Sequence, residues 1–342
     1  MGRRPTKNLN LPAGMRMRER PYGTYYFLDI GGKPRREIPL GSDYVEAVRK
    51  WAELTGESKA RSTLTLRHVA ERYQRDVLLT KARATQESNL RELANLLRFF
   101  DDPPIPLEDI EPQHVQAYMD WRGKTAKVRA NREKALLSHI WNYARGKGFT
   151  SAANPCAGIK GFAESGRDVY VEDDVYKAVH DAAEQPLRDA MDFAYLTGQR
   201  PADVLKLTRA DIKEGALWLR QNKTGAKLRI TIEGELADLV ERIGKRKVMG
   251  LNLINMPDGT PMSRYALRGA LDRARLAAAA KHPGLAKQIK QFQFRDLRAK
   301  AATDKEESHG IAAAQDQLGH STPTMTKHYV RHRKGKLVKP TR

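Results

Sequence analysis

The 342-residue sequence has one cysteine, Cys156. That excludes an intramolecular disulfide and leaves no cysteine-based metal cluster, so a reducing cytoplasm is the simplest setting. No apolar run is long enough to span a bilayer, and the start "MGRRPTKNLNLP" is basic without the apolar segment of an export signal. Neither membrane insertion nor secretion is expected. Acidic residues are in deficit: 41 Asp and Glu stand against 62 Lys and Arg, for a formal charge of +21. Such an excess repels itself unless a polyanion relieves it, so nucleic acid is the first expected partner and a membrane surface the second. No long internal repeat and no low-complexity tract is present. Hydrophobic residues make up 40%, enough for ordinary cores, and the length suits two or three domains.

Residues 1–58 open with Arg3, Arg4, Lys7, Arg16 and Arg18, which predict a basic arm. "YGTYYFLDI" and "RREIPLG" read as strands separated by the turn "GGKP". "SDYVEAVRKWAEL" follows as a helix with Ser42 or Asp43 at its N-cap and Val45, Val48 and Leu54 on its apolar stripe. Residues 63–155 carry four helical patterns: Leu66 to Val77, Leu90 to Leu97, "EPQHVQAYMDWR" and "RANREKALLSHIWNYARGKG". Lys124, Lys127, Arg129 and Arg132 are placed on the outer face, where they can follow a phosphate backbone. Residues 156–168 are poor in periodic apolar positions and read as a linker. Residues 169–342 read as mainly helical, with a strand pair around "ALWLRQNKTGAKLRITI". The fold class is therefore multidomain, mainly α with small β-sheets.

Four short stretches in the last block can carry chemistry. In "LTGQRPADVLKL", Gly198 ends a helix and Pro201 suits the first turn of the next, so Arg200 lies at a helix start favourable to anions. Asp203 is three residues on, close enough to steady Arg200 or a neighbouring base. In "QNKTGAK", Lys223 precedes a hairpin turn. In "FRDLRAKAAT", Arg295 and Arg298 share a helical face and suit bidentate phosphate contact. In "LGHSTPTMTKHY", Gly319 ends a helix, His320 falls on the turn, Thr322 and Pro323 start another helix, and Tyr329 comes two turns later. Each alone has an ordinary explanation: a surface arginine, a turn lysine, a solvated basic face, a turn histidine with an anchoring tyrosine.

Their order and joint presence resemble the tyrosine recombinase (phage integrase) family, across nearly the whole chain. The resemblance implies a lambda-type layout: a small β-sheet plus helix arm-binding domain, a four-helix SAM-like core-binding domain, and a mixed α/β, mostly helical catalytic domain. It implies Arg200, Lys223, Arg298 and His320 as catalytic residues, Asp203 as their support and Tyr329 as the nucleophile. The residue types fit. Two permanently charged guanidiniums can bind the non-bridging oxygens of a phosphodiester, and His320 can add a hydrogen bond. A phenol can attack to give a covalent phosphotyrosine, and Lys223 can protonate the leaving 5′-oxygen. The bond energy stays in the protein–DNA link, so no ATP, cofactor or metal is expected. One position departs: Arg295 stands where the family usually has the histidine of His-x-x-Arg. Arginine can clamp phosphate but cannot take a proton, which leaves the base open between His320, water and the phosphate itself.

The resemblance further implies integration and excision of a phage or genomic island, acting in the bacterial cytoplasm at the nucleoid. Its partners would be duplex DNA at core and arm sites and a homotetramer on that DNA. An accessory DNA-bending protein and an excisionase would assist. The tail after Tyr329 is expected to add a strand through Leu337 and Val338. Two other readings compete: a type IB-like topoisomerase, which lacks strand exchange, and a non-catalytic DNA-binding regulator.

Overall fold

The computed structural model describes residues 11–55, 64–246 and 250–331. Arg3, Arg4, Lys7 and the tail residues Leu337 and Val338 lie outside them. The chain divides into two compact units, Met1–Ser165 and Gly166–Arg342. Both are mainly helical with a small antiparallel sheet.

The first unit begins with strands β1 (Met15–Arg20), β2 (Gly23–Gly31) and β3 (Arg36–Gly41), in the order β1-β2-β3. The chain reverses after β2 at Gly31 and Gly32, whose positive φ values of 74° and 101° only glycine adopts easily. Helix α1 (Tyr44–Thr55) covers the sheet. Asp43 is its cap, accepting from the Glu46 amide at 2.9 Å. Its buried face is Tyr44, Ala47, Val48 and Trp51, while Val45 and Leu54 point to solvent. The i, i+3, i+4, i+7 spacing thus runs from Tyr44, one register away from the expected stripe.

The expected arm is also partly a strand. In β1, Met15 and Met17 pair with Leu28 and Tyr26, while Arg16 and Arg18 lie on the opposite face. Arg16 pairs with Asp29 at 3.0 Å and Arg18 with Glu37 at 2.7 Å. The alternation in "MRMRER" is the period of a half-buried strand, so the sequence does carry a signal for it.

A helical bundle follows, built from α2 (Leu66–Asp76), α3 (Arg83–Phe100) and α4 (Pro112–Gly146). Helix α4 is broken at Ala126 (φ −154°, ψ 64°), so it acts as two helices. Leu66, Leu96, Phe100, Tyr118, Ile140 and Trp141 are fully buried between them. Glu133 is 1% exposed in this core. It accepts from Tyr118 Oη at 2.8 Å, from Arg122 Nε at 2.9 Å and from Asn95 Nδ2 at 2.9 Å. A buried charge so paired and hydrogen-bonded is tolerable.

The stretch expected as a linker, 156–168, carries no helix or strand and is mostly exposed, but Ile159 and Phe162 are pinned to α4. The Asn131 amide donates to the Phe162 carbonyl and accepts from its N–H, both at 2.8 Å. Lys134 donates to the Ile159 carbonyl. The Phe162 ring lies over Gly123, where a Cβ would sit 2.2 Å from it. The boundary between the units falls only after Ser165.

The second unit runs through α5 (Asp173–Asp181), α6 (Gln185–Thr197) and the single turn α7 (Pro201–Val204). Next come β4 (Ile212–Lys213), β5 (Ala216–Arg220), β6 (Lys227–Thr231) and α8 (Glu235–Gly244). Helices α9 (Arg264–Lys281), α10 (Ala286–Gln291), α11 (Asp296–Leu318) and α12 (Pro323–Lys327) complete it. The sheet has the order β4-β5-β6. The expected strand pair is β5 and β6, with Trp218 opposite Arg229 and Leu219 opposite Leu228. Leu217 and Leu219 join a core with Val179, Leu187, Phe193, Leu239 and Leu297. Helix α11 changes direction at Gly310, where φ is 83°.

Candidate active site

Two left-handed glycines aim the site. Gly198 ends α6 with φ 67°, and Gly319 ends α11 with φ 64°. The two turns pack together: a Cβ on Gly198 would lie 3.0 Å from the Leu318 side chain. Arg200 therefore starts α7 beside the turn that carries His320. Arg298, in the first turn of α11, points into the same place. Its Nη1 donates to the Gly198 carbonyl at 2.6 Å and its Nη2 to the Leu318 carbonyl at 2.8 Å. A further contact joins Nη2 to His320 Nε2 at 2.9 Å. The guanidinium carbon is 5.1 Å from the centre of the Tyr329 ring, and that ring is 5.3 Å from the His320 ring. Arg200, Arg298, His320 and Tyr329 are thus brought together from distant parts of the chain.

The electrostatics of this cluster favour an anion. Arg298 is 2% exposed, and neither it nor Arg200 forms an ion pair among the described residues. Burial, then repulsion from Arg200, lowers the Arg298 pKa to about 10. Burial, then Arg298 and Arg200, lowers that of His320 to about 4. His320 is neutral at pH 7, which settles its tautomer. Arginine can only donate, so Nε2 accepts from Arg298 and the ring proton is on Nδ1. From there it donates to Thr326 Oγ1 at 3.0 Å. Thr326 is fully buried and its carbonyl accepts from the Tyr329 amide at 2.8 Å. One threonine therefore ties the histidine's orientation to the backbone of the tyrosine.

Lys223 is exposed in the turn between β5 and β6. The base of that hairpin is fixed on both sides. Asp203 Oδ1 accepts from the Asn222 amide at 2.8 Å, and Lys206 donates to Asn222 Oδ1 at 2.7 Å. Asp203 thus steadies the hairpin of Lys223 rather than the Arg200 side chain. On the other side, Gln221 reaches Arg200, Gln199 and the Leu318 carbonyl. Arg295 does not join the cluster. It is exposed at the start of α11, while Arg298 is buried.

Lys124, Lys127, Arg129 and Arg132 are exposed around and after the Ala126 break. Arg132 also meets Glu164 at 3.3 Å. No helix among the described residues is long and apolar enough to cross a membrane. No group of His, Cys, Asp or Glu among them forms a metal-binding set.

Comparison with known proteins finds similar chains. The model of the phage integrase family matches residues 170–336. The integrase of Enterobacteria phage 434 is 27% identical over 358 residues, covering 96% of each chain. The integrase of Escherichia phage lambda is 27% identical with the same coverage. A crystal structure of a lambda integrase dimer bound to a COC′ core site superposes with a TM-score of 0.70 at 22% identity. The match covers 97% of this chain and 98% of that one. Fold and family together define a tyrosine recombinase, an enzyme that cuts and rejoins DNA at specific sites. Residues 170–336 form a phage integrase domain, and over nearly its full length the chain is similar to lambda-type integrases.

Proposed function

We propose that this enzyme integrates and excises a phage genome or genomic island, through a covalent 3′-phosphotyrosine on Tyr329. The observation that supports this best is the buried Arg298, which is bonded to carbonyls and an imidazole but to no carboxylate among the described residues. Those bonds engage its two terminal nitrogens without cancelling its charge, and its buried Nε has no hydrogen-bond partner among the described residues. A scissile phosphate supplies the missing negative charge.

The steps follow from the groups present. Arg200 and Arg298 hold the two non-bridging oxygens, where charge grows in the transition state. The Tyr329 oxygen attacks phosphorus, a P–O bond to tyrosine forms, and the P–O5′ bond breaks. Lys223 gives the departing 5′-oxygen its proton. Arg295 cannot take the phenol proton at any relevant pH. His320 can, because it is neutral and its Nε2 lone pair faces the cluster, once Arg298 turns its N–H to the phosphate. In the reverse step, a 5′-hydroxyl from another strand attacks the phosphotyrosine and rejoining follows without ATP.

The basic residues outside the site divide between two kinds of DNA. Lys124, Lys127, Arg129 and Arg132 grip the core site. The N-terminal block, with Arg3, Arg4, Lys7, Arg16 and Arg18, holds a distant arm site. Binding two sites with one chain raises effective concentration and favours a bridged complex. A tetramer is the working assembly, as in the lambda integrase tetramer solved on a Holliday junction. A DNA-bending protein and an excisionase set the direction, and the reaction takes place on DNA in the cytoplasm of a bacterial host. Deleting residues from Lys336 onward is expected to alter assembly, and unchanged assembly and recombination would argue against a role for the tail.

The test is a nicked suicide duplex taken from the junctions of the element that carries the gene. The wild type should form a covalent adduct, and Tyr329→Phe should bind the DNA without forming one. Equal adduct from both proteins would overturn the assignment. Relaxation of a plasmid without recombination between two sites would point to the topoisomerase activity instead.

A further inference from the structure

Gln221 is 1% exposed and lies between the end of β5 and Lys223. Its carboxamide makes four hydrogen bonds, each 2.8 Å long. Oε1 accepts from Arg200 Nη1 and from Thr224 Oγ1. Nε2 donates to Gln199 Oε1 and to the Leu318 carbonyl. That is the full capacity of a carboxamide. Each partner belongs to a different part of the site. Arg200 starts α7, Thr224 follows Lys223, and Gln199 lies in the turn after α6. The Leu318 carbonyl also holds Arg298 and leads to His320. The fit is close: a Cβ on Gly319 would lie 3.1 Å from Gln221 Nε2.

We propose that Gln221 is a positioning residue for strand cleavage. It sets the Arg200 guanidinium, and with it the hairpin of Lys223, in register with Arg298 and His320. This rests on reading Arg200 as a phosphate ligand. The amide is chemically suited to the task. A carboxylate would accept from Arg200 equally well but would cancel the charge meant for phosphate. It would also turn an oxygen toward two oxygen acceptors, where Nε2 now donates. An apolar side chain would leave the buried Leu318 carbonyl with Arg298 alone and would release Arg200. Gln221 holds the cation and leaves it charged, and only Nη1 is used, so the rest of the guanidinium can meet the phosphate.

The experiment measures single-turnover cleavage of the nicked crossover-site duplex at saturating full-length protein. The variants are Gln221→Met, Gln221→Glu, Arg200→Lys and the Gln221→Met/Arg200→Lys double. Binding is measured separately, with each variant combined with Tyr329→Phe. Gln221→Met is expected to cleave roughly 10- to 100-fold more slowly, the scale of a misplaced catalytic group. Gln221→Glu, which preserves shape and volume, should be at least as slow. Both should bind DNA within about twofold of wild type, because the Gln221–Arg200 hydrogen bond acts on orientation. The double variant should cleave no more slowly than Arg200→Lys, since Gln221 acts through Arg200. Wild-type rates in both single variants would overturn the proposal. So would losses that multiply in the double, or binding that falls in step with rate in both, which would make Gln221 merely structural. Full-rate cleavage by Arg200→Lys would instead undo the reading of Arg200 as a phosphate ligand.

Discussion

Arg298 and Lys300 lie two residues apart on α11, and both are almost wholly buried. At about 100° per residue they face opposite sides of the helix, and their surroundings differ in one respect. Lys300 Nζ meets two carboxylates, Asp173 and Asp304 (the latter at 3.1 Å), and the Tyr170 hydroxyl at 3.0 Å. Burial works against its charge, but Asp173, Tyr170 and Asp304 outweigh it and hold the pKa above the ordinary lysine value. Arg298 meets carbonyls and an imidazole, and its pKa is pushed down, by burial first and then by Arg200. The first cation is neutralised and ties α5 to α11. The second is held through its two terminal nitrogens, has an unpartnered buried Nε among the described residues, and is left positive. Burial alone does not mark a functional charge; burial without a counter-charge does.

The largest expected effect comes from exchanging the two cations for an apolar residue of similar length. Arg298→Met should lower single-turnover cleavage by roughly 10²- to 10³-fold, as for loss of one transition-state donor. Lys300→Met should leave saturated cleavage nearly intact and destabilise the catalytic unit by about 2 kcal/mol, less than a fully buried pair because Asp173 is exposed. Chemical unfolding of each variant measures that difference, and equal cleavage by both would end the contrast. Arg122→Met removes the partner of buried Glu133 and should cost the first unit about 3 kcal/mol, read in the same unfolding experiment.

Two smaller changes sharpen the histidine's part. Thr326→Val removes the acceptor that fixes the Nδ1–H tautomer. Cleavage should slow about tenfold, toward the low end of proton-transfer catalysis, and Thr326→Ser should restore it. The pH dependence follows from the lowered pKa of His320. Between its unfolded value near about 6.5 and about 4, the unfolded chain binds a proton that the folded chain does not. Stability is therefore unaffected above that window and falls as pH drops through it. Thermal melts from about pH 7 down to about pH 4.5 should show the fall, and His320→Asn should flatten it. The smallest effect is expected from Arg295→His. Because Arg295 is exposed, cleavage should change less than about fivefold, the scale of one surface charge. An adduct from the variant and none from the wild type would show that the arginine had cost this enzyme its chemistry.

Much of the fold is legible in the sequence where local chemistry decides it. Gly198 and Pro201, and Gly319 and Pro323, punctuate helices by their own backbone preferences, so the turns that carry Arg200 and His320 can be read directly. The arginines, His320 and Tyr329 stand out because few uses explain such residues in that order. Gln221, Gln199 and Thr326 give no such signal. A neutral amide or hydroxyl has an ordinary surface explanation, and its role exists only when distant segments converge on it. The break at Ala126 shows in the sequence only as a boundary between two helical patterns. Residues 156–168 look like a linker because Phe162 is one aromatic without a periodic pattern, and its packing on Gly123 is a tertiary fact. The stripe of α1 is misleading in sequence because Val45 and Leu54 are apolar and yet exposed.

The most direct test of the central claim is to trap the enzyme on its nicked attachment-site DNA and map the modified residue by peptide mass spectrometry. A nucleotide remnant on Tyr329, present in Lys300→Met and lost in Arg298→Met, is the expected result. A remnant on another residue, or adduct in equal yield without Arg298, would contradict a site built around a buried cation held open for phosphate.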